Sequence, residues 1–130
     1  VLFINEKEIK QLTGEDIAAG ARKCLDEGCH IIVVTMGKSS PACFITDGRS
    51  EYTIAGQRTT ETVADTTGAG DAFAAGFLWG LLKGKELPEC GRLATVVAHC
   101  SLTQLGARAG LPSLSNLSQK YQEYYGINSL

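Results

Sequence analysis

The sequence predicts an α/β fold with a partly parallel sheet, and two observations carry that expectation. Ile31-Ile32-Val33-Val34-Thr35 is an unbroken β-branched run, too continuous for a strand with one wet face and suited to a parallel strand covered on both sides. The order of periodic segments, β-α-α-β followed by a hairpin and then three helices, alternates strands with helices as α/β proteins do.

Each element can be justified in chain order. Val1-Leu2-Phe3-Ile4 reads as the end of a buried strand, and Asn5-Glu6-Lys7-Glu8 opens a short polar helix that stops at Thr13-Gly14. Glu15-Asp16 begins a second helix, acidic in its first turn as the helix dipole favours. Ile17, Ala18, Ala21, Cys24 and Leu25 recur on one face of it, and Gly28 ends it. Gly37 breaks the β-branched strand that follows. Ala42–Thr46 and Glu51–Ile54 flank Asp47-Gly48-Arg49 and read as an antiparallel hairpin on an Asp-Gly turn. A long apolar helix is expected from Asp71 to Leu82, and another from Leu87 to Leu105 with Pro88 in its first turn. On the second of these, Leu93, Val96, Val97 and Cys100 form the buried face. Gly106 to Pro112 is a small-residue loop, and Leu114 to Tyr125 is a closing helix with a tyrosine-rich end. Trp79, Phe77, His99 and the Tyr121, Tyr124, Tyr125 stripe read as packing residues rather than ligands.

Composition bounds the function. With 130 residues, 44% hydrophobic and 20% charged, the chain is one domain's worth of globular sequence. Its net charge of −2 leaves no basic footprint, so nucleic acid is not an expected partner. No apolar run approaches the roughly 20 residues of a membrane span. The five cysteines (Cys24, Cys29, Cys43, Cys90, Cys100) are odd in number and lack a C-x-x-C pair, and His30 and His99 complete no zinc pattern. Free thiols in a reducing cytoplasm are therefore expected. There is no signal-peptide pattern and no opening Met, from which we expect a piece of a longer protein. An apolar strand at Val1–Ile4 would leave an unpaired sheet edge, from which we expect self-association.

Glycine, at 15 of 130 residues, exceeds the usual ~7% and clusters. In Asp65-Thr66-Thr67-Gly68-Ala69-Gly70-Asp71 small residues run directly into a helix. Its first N–H groups are thus open to a ligand, and together with the helix dipole they make an anion site. Asp71 stands at the mouth of that site. Beside a bound phosphate it can take a proton from an attacking hydroxyl; the alternative is that it merely caps the helix. Two other phosphate motifs fail. Gly37-Lys38-Ser39 resembles the end of a P-loop, but the first glycine required falls at Ile32; a dinucleotide fingerprint begun at Gly68 and Gly70 meets Phe73 where its third glycine belongs.

The stretch Asp65 to Leu78 resembles the C-terminal signature of the ribokinase-like (PfkB) carbohydrate and nucleoside kinases at every constrained position, and the likeness covers almost the whole chain. It implies a three-layer α/β/α fold and ATP-dependent phosphoryl transfer to a hydroxyl of a sugar or nucleoside. Residue by residue, it makes Asp71 the general base and the N–H groups of Gly68, Ala69 and Gly70 the anion hole. Asn5-Glu6-Lys7-Glu8 is similar to the family's Asn-x-x-Glu motif, which implies that Glu8 acts on Mg²⁺ through water. Asn5, Thr35, Gly37, Lys38 and Thr95 would line the nucleotide. Asp65, Thr67, Ser101, Gln104, Gly106 and Gly110 would surround K⁺, mostly through backbone oxygens. Ser39-Ser40-Pro41 departs from the family by replacing a glycine that is frequent there. The resemblance further implies that residues 1–130 are the C-terminal nucleotide-binding and catalytic part, the N-terminal half with most acceptor contacts and the lid lying outside. Two alternatives stay open: a nucleotide-binding fragment or half-subunit inactive alone, and a vitamin kinase of the same fold.

Overall fold

Strand β1 (Leu2–Asn5) runs parallel to β2 (Ile32–Thr35), and the chain between them forms α1 (Glu6–Thr13) and α2 (Ile17–Asp26). The computed structural model describes residues 1–36, 43–55, 69–102 and 114–126, with the side chains of 69, 101, 102, 114–117, 120 and 124 left aside. It divides the chain into two units, Val1–Gly56 and Gln57–Leu130.

In the first unit the sheet order is β1-β2-β3-β4, with β3 (Cys43–Thr46) and β4 (Glu51–Ile54) both antiparallel to their neighbours. The expected partly parallel sheet is therefore present, and β2 is an inner strand whose Ile32, Val33 and Val34 are fully buried. The pleat sorts the side chains. Ile32, Val34 and Phe44, with Leu2 and Ile4, pack against Ile9, Ala21 and Cys24 of the two helices. Val33, Cys43, Ile45 and Ile54 point to the opposite face and are also buried, as a strand covered on both sides requires. The β3–β4 turn is held by Asp47, whose carboxylate accepts the N–H groups of Arg49 (2.9 Å) and Ser50 (2.8 Å), while Gly48 supplies a φ of 89°. These bonds hold the Asp47 carboxyl below its ordinary range.

The start of one helix and one of its buried positions differ from the sequence expectation. The second helix starts at Ile17, with Asp16 at its N-cap position, so the acidic pair precedes the first turn rather than occupying it. Ala18 is exposed, and Gly20 takes the buried place on that face. A Cβ at Gly20 would lie 2.8 Å from Thr13 Oγ1 and 3.0 Å from Ile9 Cγ1, so the bare glycine is what lets α1 and α2 close.

The second unit contains α3 (Ala69–Leu82), α4 (Leu87–Leu102) and α5 (Leu114–Tyr125). Residues 103–105, expected to extend α4, lie outside the described residues. Helix α3 begins two residues earlier than the sequence expectation: Ala69 is a strong helix former, and Gly70 adopts no left-handed φ that would keep it out. Its glycines set the spacing to α4. A Cβ at Gly76 would lie 3.0 Å from the Ala94 Cα, and one at Gly80 2.9 Å from Cys90 Sγ. Ala72, Leu93, Val96, Val97 and Tyr121 form the core, with Trp79 and Tyr125 packed against it. Phe77 is fully buried as well. Tyr121 is fully buried, and its hydroxyl accepts a hydrogen bond from Arg92 Nε at 2.8 Å, so the one polar atom it carries inward is satisfied. The same guanidinium lies 6.0 Å from the Tyr125 ring centroid.

Gly76→Val tests the close approach. The added atoms meet the Ala94 Cα and the stiff β-branched Val97 side chain, so the variant is expected to be destabilised by about 1–3 kcal/mol, the scale of overpacking, in denaturant unfolding. An unchanged midpoint would mean that α3 and α4 do not depend on contact at this position.

Candidate active site

Asn5 ends β1 and caps α1. With its backbone extended (φ −88°, ψ 167°), its Oδ1 accepts the Glu8 N–H at 2.7 Å, and Glu8 Oε1 accepts the Asn5 N–H at 3.0 Å. This is a reciprocal capping box, and it requires a polar side chain three residues before a Glu. The Asn-x-x-Glu spacing is therefore explained by helix initiation as well as by ligand chemistry. The cap also fixes the rotamer of the exposed Glu8 carboxylate.

Asn5 is the register partner of Thr35 across the parallel pair. Three of the expected nucleotide and metal residues, Asn5, Glu8 and Thr35, thus converge at the carboxyl ends of β1 and β2, the end at which open α/β sheets take their ligands. Gly37 and Lys38, which follow β2, lie outside the described residues. An exposed carboxylate with one oxygen held by the main chain fits an ion such as Mg²⁺ that keeps most of its waters. Among the described residues no group of three His, Cys, Asp or Glu side chains forms a dedicated metal cage.

In the second unit Ala69, Gly70 and Asp71 make up the first turn of α3. Their N–H groups belong to the set that an α-helix leaves without intrahelical acceptors. Gly70 is exposed, and a Cβ built on it would meet nothing within 4 Å. Among the described residues nothing crowds Gly70, in contrast to Gly76 and Gly80 farther along the same helix. Asp71 is exposed and is the third residue of α3, so it does not occupy the N-cap position, which precedes a helix.

The remaining expected residues are placed less informatively. Thr95 is buried on α4, and its hydroxyl donates to the Gly91 carbonyl at 2.8 Å. Ser101 lies in the last turn of α4. Asp65, Thr67, Gly68, Gln104, Gly106 and Gly110 lie outside the described residues. Sequence reasoning missed two features: the capping box, legible as a polar residue three before Glu8, and the pairing of Asn5 with Thr35, for which a single sequence holds no signal.

The chain is similar to known proteins over most of its length. A sugar kinase of Archaeoglobus fulgidus, itself named as uncharacterized, is 47% identical over 112 residues, covering 86% of this chain and 43% of the relative. Arabidopsis thaliana ribokinase, solved with ribose and ATP, superposes with a TM-score of 0.83 at 27% identity, covering 93% of this chain and 40% of that one. A Vibrio cholerae fructokinase double mutant, solved with fructose, ADP and a potassium ion, has a TM-score of 0.78 at 26% identity, covering 92% of this chain and 39% of that one. The chain thus spans less than half the length of the relatives it matches. The family model described as pfkB family carbohydrate kinase matches residues 1–114, and the chain belongs to that family.

Proposed function

We propose that this chain carries the phosphoryl-transfer half of a kinase that uses ATP to phosphorylate a hydroxyl of a sugar or nucleoside. The observation that carries the reading is the first turn of α3, where no described residue crowds Gly70 and the next residue is an exposed carboxylate. The family adds an adenine nucleotide and a carbohydrate acceptor: the ribokinase structure above holds ATP with ribose, and the fructokinase structure ADP with fructose.

In this reading Asp71 accepts the proton of the acceptor hydroxyl as its oxygen attacks the γ-phosphorus. The N–H groups of Gly68, Ala69 and Gly70 donate to the charge that develops on the transferred group, already oriented and without reorganisation during reaction. Asn5, Thr35, Gly37, Lys38 and Thr95 border the nucleotide, Thr95 as a packed wall because its proton is engaged by Gly91. Glu8 holds Mg²⁺ through water, and the ion supplies neutralisation of the phosphate oxygens. Asp65, Thr67, Ser101, Gln104, Gly106 and Gly110 form the K⁺ loop, a reading supported by the potassium ion of the fructokinase structure. The odd number of cysteines without a C-x-x-C pair supports a reducing, cytoplasmic setting. Among the described residues no helix is long and apolar enough to cross a membrane.

A second reading, that this stretch alone binds nucleotide without turnover, is favoured by coverage: it spans 43% of the Archaeoglobus relative. Without an acceptor held beside Asp71, the positioning that supplies much of the rate is lost.

Asp71→Asn in the full-length protein is expected to lower kcat by about 10²–10⁴, the contribution of a general base, with nucleotide affinity nearly unchanged. Turnover above about a third of the parent would leave Asp71 a structural residue of the first helical turn. Gly70→Ala separates ligand approach from folding. The added methyl meets no atom of the described residues, so stability should hold or rise by about 0.5–1 kcal/mol. Activity should fall by about 10², the scale of a 1 Å misplacement, and full activity would show that no ligand comes close there. Replacing Na⁺ by K⁺ at constant ionic strength should raise activity, and Asp65→Ala should flatten that response; equal rates in both salts would remove the cation loop from the account.

A further inference from the structure

Helix α2 ends in a Schellman turn, and its paired side chains are both cysteines. The N–H of Cys29 bonds the Cys24 carbonyl at 3.2 Å, the N–H of Gly28 bonds the Leu25 carbonyl at 3.0 Å, and Gly28 carries the left-handed φ of 111°. This six-residue motif sets the first and last side chains against each other, normally as an apolar pair. Cys29 accordingly packs against the cluster that contains Cys24. Disulfides form between residues whose Cα atoms are about 4.4–6.8 Å apart, a separation compatible with a direct main-chain hydrogen bond between the two. The two sulfurs also differ in access, Cys24 being 6% exposed and Cys29 half-buried.

We propose that Cys24 and Cys29 form a thiol pair that a hydroperoxide converts to an intramolecular disulfide. Cys29, the more accessible, reacts first: its thiolate sulfur attacks a peroxide oxygen, the O–O bond breaks, and Cys29 becomes a sulfenic acid. The Cys24 sulfur then attacks the Cys29 sulfur, the S–S bond forms, the S–O bond breaks and water leaves. Two thiols lose two electrons and two protons in total, and one hydrogen peroxide is reduced to two waters. Burial, followed by the neighbouring Cys29 and Glu27, raises the Cys24 thiol, which disfavours Cys24 as the first to meet the peroxide. The product ties the last turn of α2 to the segment entering β2. This inference does not rest on the kinase reading.

The test is peroxide titration of the folded protein followed by non-reducing tryptic mapping. Cleavage after Lys23 and Lys38 releases one peptide, residues 24–38, that contains both cysteines. The expected result is that this peptide becomes lighter by two hydrogens, reverts with dithiothreitol, and forms faster in folded protein than in urea. Cys29→Ser, a conservative change at the half-buried position, should leave Cys24 alkylatable after the same treatment. Peroxide-treated parent protein in which Cys29 carries sulfinic acid while Cys24 stays a free thiol, or in which Cys29 is joined to another chain, would overturn the proposal.

Discussion

Two parallel strands cannot be joined by a tight turn, and the pairing of β1 with β2 imposes the rest of the first unit. The chain must travel the length of the sheet and return before β2 can start, and it does so through α1 and α2. Ile9, Ala21 and Cys24 then cover the face presented by Ile32, Val34 and Phe44. Because both strands point the same way, their carboxyl ends coincide, and Asn5 and Thr35 become neighbours. The capping box finishes the junction by turning the chain from strand into helix within one residue while holding the Glu8 carboxylate. One pairing therefore produces both the core and the convergence of polar residues at its end.

The second unit relies on absent side chains, used in two ways along a single helix. Gly76 and Gly80 are bare because α4 occupies the space a Cβ would need, whereas at Gly70 no described residue comes within 4 Å of that space. Helix propensity disfavours glycine in a helix by about 1 kcal/mol relative to alanine. At Gly76 and Gly80 close packing offsets that cost, and at Gly70 the described structure offers no packing that would. A helical glycine that no described residue crowds, beside an exposed carboxylate, is where the proposed function places its ligand.

Much of this was legible in the sequence, because the strongest signals were also the ones packing obeys. The β-branched run became an inner strand, and the Asp-Gly turn became the β3–β4 hairpin with Asp47 accepting two main-chain N–H groups. Errors arose where tertiary contact outweighs local preference. Ala18 fits an apolar stripe, but the buried place goes to Gly20, since only glycine admits Thr13 and Ile9 so closely. The start of α3 was read late because Ala69-Gly70 looks like loop, although Gly70 has a backbone an ordinary helix accepts. The neighbourhood of Asn5 and Thr35 depends on strand register, a property of two segments together that neither reveals alone.

The proposed chemistry puts the transferred phosphoryl group at the first turn of α3 and the acceptor oxygen on Asp71. A crystal structure of the full-length protein with MgADP, an acceptor sugar or nucleoside, and aluminium fluoride as the phosphoryl mimic tests it most directly. The account predicts fluoride atoms about 2.7–3.1 Å from the N–H groups of residues 68–70, the range for oxyanion donors, and the acceptor hydroxyl within about 2.6–3.2 Å of the Asp71 carboxylate. A fluoride group bound away from this turn, or an acceptor hydroxyl held by a different carboxylate, would contradict it.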